Sequence, residues 1–198
     1  ALILYIAAIY LIRPFAVEGL GSYVISIDNM ILAIIGAILF AVVARRFRWL
    51  SSRPGQISFA ISIGLVVWAF AETTWLAYES VGESPFPSIA DLFYVAGYFA
   101  FATALLLNIK TIHVKFKPQV LAVWIVLSVV SFVAIAFLAI LPIFQGGLGL
   151  ETIVSLVYPL ADLVIIVLAL VIVLKFQSGE IAKPWGLLVL GFILQAMG

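Results

Sequence analysis

The sequence predicts an all-α protein, a polytopic bundle of transmembrane helices. Hydrophobic residues make up 66% of the 198 residues, charged residues only 10%, and the mean hydropathy is +1.33. Apolar runs close to or above the roughly 20 residues that cross a bilayer as a helix recur along the whole chain. Barrel strands are shorter and alternate in polarity, so these runs predict helices. No stretch remains for a soluble domain, and we expect one integral membrane domain over residues 1–198.

Seven helices are predicted, separated by short connections rich in charged residues, glycine or proline. They cover residues 1–12, 27–44, 57–78, 88–109, 119–141, 152–176 and 184 onward. The connections between them include "RRFRWLSSRPGQ", "ESVGESPFP", "KTIHVKFKP" and "PIFQGGLGLE". Both chain ends fall inside apolar runs, so we expect a fragment of a longer protein with an eighth helix.

The charges sort by side of the membrane. Nine of the ten basic residues lie in the second, fourth and sixth connections, namely Arg45, Arg46, Arg48, Arg53, Lys110, Lys115, Lys117, Lys175 and Lys183. By the positive-inside rule that face is cytoplasmic, which predicts a cell-membrane protein with a cytoplasmic amino terminus. Eight of the nine acidic residues lie toward the other face. We therefore expect the function to face outward or into the outer leaflet.

The inward-running helices resemble one another. Asp28, Asp91 and Asp162 each precede an apolar run that ends in a basic residue, which predicts a repeated two-helix unit. We expect Asp28 and Asp91 at helix starts near the outer interface. The Ser88-x-x-Asp91 spacing also predicts a capping box, in which Asp91 binds backbone N–H groups of the first turn.

Glu72 and Asp162 are predicted deeper, about 22 and 20 Å from the inner interface at 1.5 Å of rise per residue. An ionised carboxylate is costly in hydrocarbon, and the sequence places no lysine or arginine at that depth. Each carboxyl is then protonated, held by polar donors, or bound to a cation in a wet cavity. Candidate donors are Trp68, Thr73, Thr74, Trp75, Tyr94, Ser155 and Tyr158. If the two carboxyls only accept interhelical hydrogen bonds from such donors, their role is to hold the helices together. Pro159 frees a backbone carbonyl and favours a kink near Asp162.

Two weaker patterns predict packing. Ala96, Ala100 and Ala104 recur every four residues, which indicates a close helix contact. Tyr98 is predicted as an interfacial anchor.

Several chemistries are disfavoured. A net charge of +1 indicates no nucleic-acid partner, and the absence of cysteine excludes disulfides and thiolate metal sites. The single histidine, His113, lies in a basic connection, and no predicted helix has a central lysine. We therefore expect no cofactor, no metal and no enzyme within these residues.

A string of residues resembles a known family. Pro87, Ser88, Ala90, Asp91, Tyr94, Gly97 and Tyr98, with Tyr158, Pro159, Ala161 and Asp162 in a later helix, are similar to the multi-helix membrane region that precedes GGDEF, EAL or histidine-kinase output domains in bacterial and archaeal signalling proteins. That family often has proline after the Gly-Tyr, where this chain has Phe99. The resemblance implies a membrane input module whose Asp-bearing helices line a sensing cavity.

Two functions remain open from sequence. In the first, a cavity binds a small ligand, a lipid or a cation, and a cytoplasmic signalling domain or partner reads the change in helix packing. The predicted ligand-binding residues are Glu72, Asp91, Tyr94, Tyr158 and Asp162. In the second, the chain is an accessory subunit of a larger membrane complex, and the same carboxyls only fix helix contacts in the lipid bilayer. A carrier built from repeats is a third possibility, although paired broken helices are not evident.

Overall fold

Four long helices make up most of the described structure. The computed structural model describes residues 20–111 and 149–175, with a few isolated helical positions elsewhere. The helices are α1 (Leu20–Arg46), α2 (Arg53–Ser80), α3 (Ile89–Thr111) and α4 (Leu150–Lys175), with a 3-10 turn at Trp49–Ser51 between α1 and α2. Within these ranges there is no strand, and all four helices are long and apolar enough to cross a membrane. The all-helical membrane prediction is confirmed to that extent; the predicted helices 1–12, 119–141 and 184 onward lie largely outside the described residues.

Helix α1 begins earlier than predicted. It starts at Leu20 rather than residue 27, so Asp28 lies about two turns inside the helix and not at its start. The prediction for Asp28 was therefore wrong. Glycine and serine in "LGSYVIS" are weak helix formers, but a membrane segment must satisfy its backbone groups internally, which favours extending the helix.

Helix α2 has well-defined ends. The Ser52 hydroxyl accepts a hydrogen bond from the Gly55 N–H at 3.2 Å, and Pro54 occupies the first turn, so α2 starts at Arg53 instead of residue 57. At the other end, Gly82 adopts a left-handed φ of 75°. Its N–H donates to the Glu79 carbonyl, and the Glu83 N–H donates to the Tyr78 carbonyl, both at 3.0 Å. These bonds form a Schellman cap, which stops α2 close to the predicted position.

The helices pack in chain order, α1 on α2, α2 on α3 and α3 on α4. Helices α1 and α2 are antiparallel, because the Ser62 hydroxyl reaches the Ala37 carbonyl while Thr73 reaches Met30. Helices α2 and α3 are also antiparallel, because Gly64 lies against Phe101 while Phe70 lies against Phe93. Helices α3 and α4 are parallel, because Asp91 meets Tyr158 and Tyr98 meets Asp162. Helix α4 continues through Pro159 without interruption.

Each of the last three helices contributes one stripe to a shared core. The stripe of α3 recurs at spacings of three and four residues and consists of Asp91, Tyr94, Tyr98, Phe101, Leu105 and Asn108. In its half nearer the basic helix ends, Phe101 and Leu105 pack in an apolar cluster with Ile57 and Ile61 of α2 and Ile165 and Ile172 of α4. The other half is polar and aromatic. The core therefore changes character along the bundle, with its carboxyl and tyrosine side chains at the end opposite the arginines.

Glycines bring α2 and α3 together. A Cβ added at Gly97 would lie 3.5 Å from the Gly64 carbonyl oxygen and 3.1 Å from the Trp68 ring. A Cβ added at Gly64 would lie 2.5 Å from Cε1 of the buried Phe101. The predicted alanine ladder does not make this contact as a whole, because Ala96 is exposed.

The Gly64→Ala substitution is expected to lower the free energy of unfolding by about 1–3 kcal/mol, as is usual for overpacking. This loss should exceed the gain in helix propensity of about 1 kcal/mol from replacing glycine. Thermal unfolding in detergent micelles, followed by circular dichroism, measures the effect. Gly191→Ala is the matched control, since an added Cβ there meets nothing within 4 Å. A Gly64→Ala protein as stable as the control would contradict the close contact.

Candidate functional site

Asp91 joins the start of α3 to α4. Its Oδ2 accepts hydrogen bonds from the Ser88 backbone N–H at 2.6 Å and from the Ser88 hydroxyl at 2.9 Å. Its Oδ1 accepts a bond from the Tyr158 hydroxyl, and the residue is only 8% exposed. Of the two hydrogen bonds in the predicted capping box, one is present: the Asp91 carboxylate accepts from the Ser88 N–H. In place of the other, the Asp91 N–H donates to the Ser88 carbonyl at 3.2 Å. Asp91 is therefore both a helix cap and an interhelical link.

Asp162 forms the reciprocal link. The Tyr98 hydroxyl donates to its Oδ1 at 2.6 Å, from α3 to α4. Asp91 and Tyr98 lie seven residues apart on α3, while Tyr158 and Asp162 lie four apart on α4. Because α3 and α4 are parallel, each helix gives one acid and one tyrosine to this contact.

Glu72 brings in the third helix. It lies on α2, is only 5% exposed, and has the Tyr94 hydroxyl of α3 and the Trp68 indole of α2 as neighbouring donors. Both groups are donors to a carboxyl. Glu72 therefore joins α2 to α3 as Asp91 and Asp162 join α3 to α4.

Aromatic rings frame these carboxyls. The Trp68 ring lies edge-on to Tyr94 and Tyr98, with centroid distances of 5.0 and 5.5 Å. The Tyr158 ring meets the same two tyrosines at 6.5 and 6.4 Å, again edge-on. Such edge-to-face pairs are favourable beyond the area they bury, which fixes the positions of the hydroxyl groups.

Together these residues form one group that we call the acid–tyrosine cluster. It consists of Glu72, Asp91 and Asp162, the tyrosines Tyr94, Tyr98 and Tyr158, and Trp68. The five residues predicted from sequence all belong to it. Each carboxyl has a tyrosine donor on a neighbouring helix, so the structure brings the predicted residues into direct contact.

The cluster offers donors and acceptors but no positive charge. All of its donors are neutral hydroxyl or indole groups, and the described residues supply no lysine, arginine or histidine to it. Among the described residues, no three acidic or histidine side chains converge as metal ligands. In this arrangement, a proton or a polar group that binds to a cluster carboxyl takes the place of the interhelical hydrogen bond that the carboxyl accepts.

Sequence reasoning misplaced some donors. Tyr98 was predicted as an interfacial anchor, but its position four residues after Tyr94 and seven after Asp91, on the same face of α3, was a usable signal. Thr73 and Thr74 were candidate donors to the carboxyls; their hydroxyls donate to carbonyls of α2 itself, those of Ala69 and Phe70.

Trp75 was also a candidate donor. Its indole donates at 3.2 Å to Glu79, one turn further along α2, and not to Glu72 or Asp162. Trp68 and Trp75 are seven residues apart on one face of α2, so they differ in their position along the helix, by about two turns.

Asn108 is a second buried polar position on the α3 stripe. It is 3% exposed, and its Nδ2 has no hydrogen-bond partner among the described residues. A buried amide is costly when unpaired, so such positions are uncommon in folded proteins. Asn108 lies toward the basic end of α3, opposite Asp91, and was not predicted from sequence.

The Tyr98→Phe substitution is expected to remove one interhelical bond while keeping the ring. Hydrogen bonds between membrane helices contribute about 0.6 kcal/mol on average and up to about 1.7 kcal/mol, so we expect a loss of that size. Unfolding of the purified protein in mixed micelles measures it. Tyr78→Phe is the control, because the Tyr78 hydroxyl bonds to no described residue. Equal stability of the two variants would contradict the bond to Asp162.

Comparisons of the chain with protein-family models, with curated proteins and with solved structures find no match.

Proposed function

We propose that this chain is a membrane-embedded input module of a signalling protein. A signal from the outer side or from within the membrane acts on the acid–tyrosine cluster, and a cytoplasmic output domain or partner reads the resulting change in helix packing. The observation that carries this proposal is that three tyrosine–carboxyl pairs join α2, α3 and α4 at a single place in the core.

A ligand shifts a conformational equilibrium only by its difference in affinity for the two states. A proton, a cation or a small polar ligand that engages a cluster carboxyl competes with the tyrosine that now holds it. Such a ligand therefore favours an arrangement in which that interhelical bond is open. Two bonds at about 0.6 to 1.7 kcal/mol each amount to roughly 1–3 kcal/mol, which is the usual size of an allosteric coupling.

Helix α3 connects the cluster to the opposite end of the bundle. Its core stripe runs without interruption from Asp91 to Asn108, two residues before Lys110. A shift of α3 at the cluster moves the whole stripe, because packed helices move as rigid elements.

The wider architecture belongs to the same proposal. It comprises seven helices in a cell membrane, with the basic connections and the amino terminus in the cytoplasm. The helix-hairpin repeat stays a prediction. The resemblance of the Asp91 and Asp162 regions to input modules of GGDEF, EAL and histidine-kinase proteins supports a cytoplasmic output. In this proposal, any catalysis resides in the output domain.

One observation favours the alternative, an accessory subunit of a larger membrane complex. Every cluster carboxyl already has a donor from within the chain. If the cluster only holds the helices together, no ligand needs to displace those donors.

The two functions predict different results for Asp162→Asn. The asparagine keeps an acceptor for Tyr98 but cannot ionise. The chain has no cysteine, so two introduced cysteines, at Thr111 and Lys175, give unique spin-label sites at the basic ends of α3 and α4. The input module predicts that Asp162→Asn changes the distance distribution between the labels, or its response to pH and salt, while the melting temperature changes little.

Leu163→Ala is the control for folding, since it alters an adjacent side chain and no cluster group. The proposal fails if Asp162→Asn and Leu163→Ala lose expression equally, or if label distances in the Asp162→Asn protein follow those of the unsubstituted protein under all conditions.

A further inference from the structure

The turn between α1 and α2 lies at the membrane surface, because it joins two helices that are each long and apolar enough to cross a bilayer. The stretch "RRFRWLSSRPGQ", residues 45–56, holds four arginines and no acidic residue. All four, Arg45, Arg46, Arg48 and Arg53, are exposed. This surface, which we call the arginine turn, therefore places a concentrated positive charge at one membrane face.

The backbone of the arginine turn is held in an unusual conformation. Arg48 and Trp49 have φ values of 61° and 51°, in the left-handed region that residues with side chains rarely adopt. Two side chains bond back to the turn: the Ser52 hydroxyl donates to the Phe47 carbonyl, and Gln56 Nε2 donates to the Leu50 carbonyl at 2.7 Å. Strained residues persist where the surrounding structure fixes them.

Close packing against α2 completes this restraint. A Cβ at Gly55 would lie 2.0 Å from the Trp49 carbonyl oxygen, so only glycine at this position allows the turn to pack this close to α2. The Trp49 ring packs edge-on against Phe59 of α2, with centroids 5.7 Å apart. The arginine turn is thus a built surface with a fixed shape.

Apolar side chains alternate with the arginines on this surface. Phe47, Trp49 and Leu50 are 49%, 41% and 60% exposed. Tryptophan and phenylalanine next to arginine suit the boundary between acyl chains and headgroups, where the rings meet lipid and the guanidinium groups meet phosphate.

The guanidinium groups have donors to spare. Within the described part of the chain none of the four forms an ion pair, and their one hydrogen bond to a side chain runs from Arg53 to Gln56 Oε1, at 3.1 Å. Guanidinium groups bind phosphate oxygens in a two-pronged geometry. The unused donors are available to an anionic acceptor.

We propose that the arginine turn is a binding site for anionic phospholipid, with the lipid phosphate held by Arg46, Arg48 and Arg53 and the acyl chains against Phe47, Trp49 and Leu50. The charge favours an anionic headgroup, and the position between two spans supplies lipid at that depth. This site is independent of the acid–tyrosine cluster, which lies at the opposite end of the bundle.

The test uses the full chain in lipid nanodiscs made of phosphatidylcholine alone or mixed with phosphatidylglycerol. Native mass spectrometry counts the lipids that remain bound after release from the disc. We expect retained phosphatidylglycerol in preference to phosphatidylcholine. Each arginine near an anionic surface contributes about a fivefold change in affinity, so Arg46→Gln, Arg48→Gln and Arg53→Gln combined should lower retention by about a hundredfold.

Two further variants separate a defined site from general surface charge. Replacing Lys110, Lys175 and Lys183 by glutamine removes the same charge from the same predicted face and should lower retention much less than replacing the three arginines. Replacing the three arginines by lysine keeps the charge but loses the two-pronged geometry, and it should give an intermediate loss. If the variant with the three arginines replaced by glutamine fails to fold, the variant with the arginines replaced by lysine still tests the proposal.

Three outcomes would overturn the proposal: equal retention of the two lipids, equal losses for the arginine and lysine sets, or unchanged lipid retention when the three arginines are replaced by glutamine. None of these results bears on the acid–tyrosine cluster, so the input-module proposal stands or falls separately.

Discussion

Replacing Trp68 by alanine is expected to give the largest loss of stability in the described bundle, about 3 kcal/mol. Trp68 contacts both the polar, aromatic half of the core and its apolar half. The distance between ring centroids is 5.0 Å to Tyr94 and 5.9 Å to Phe101. It also packs on Gly97 of α3, where an added Cβ would lie 3.1 Å from the Trp68 ring. Helix association in a bilayer depends mainly on close packing and interhelical hydrogen bonds, so a void at this position removes the main stabilising contact.

The substitution also changes the cluster. Without the indole, Glu72 keeps Tyr94 as a donor but loses the donor on its own helix. Trp68→Phe separates the two contributions, because phenylalanine retains most of the packing and none of the hydrogen bonding. We expect Trp68→Phe to cost about 1 kcal/mol, close to the contribution of a single hydrogen bond.

Reversible unfolding in mixed micelles gives the free energies for this series. Trp75→Ala is the matched control, since Trp75 lies two turns along the same helix and its indole bonds only to Glu79 among the described residues. We expect a smaller loss for the control. Equal losses for Trp68→Ala and Trp75→Ala would mean that the aromatic frame of the cluster does not hold α2 against α3.

Composition and charge were sufficient to predict the helical membrane architecture in the described part of the chain. Polar runs such as "ESVGESPFP" and "RRFRWLSSRPGQ" are costly in hydrocarbon, which places helix ends within a few residues. Signals for the finer bounds were also present, in Ser52 and Pro54 for the start of α2. The early start of α1 was missed because residues 20–26 mix glycine and serine with apolar side chains.

The cluster was predictable as a set of residues but not as a set of bonds. Asp91, Tyr94 and Tyr98 share one face of α3 by their spacing of three and four residues. Their partners depend on α3 and α4 being parallel neighbours in a fixed register. That register arises from packing between segments far apart in the chain, which a single sequence does not encode in any local pattern.

Asp91→Ala is expected to weaken two structures at once. The carboxyl caps the first turn of α3 through Ser88, an interaction whose loss costs about 1 kcal/mol. It also accepts the Tyr158 hydroxyl of α4, an interhelical bond of about 0.6 to 1.7 kcal/mol. The combined loss should be roughly 1.5–3 kcal/mol, while an exposed acid in the preceding connection, Glu83, should tolerate alanine with little change.

A double-mutant cycle with Tyr158→Phe separates the cap from the link. If Asp91 is the acceptor for Tyr158, removing the hydroxyl costs stability in the presence of Asp91 and almost none after Asp91→Ala. The remaining loss in the double variant then measures the cap. If Tyr158→Phe costs the same in both backgrounds, Asp91 serves only to start its helix, and the hydrogen-bonded link between α3 and α4 in the cluster rests on Tyr98 and Asp162.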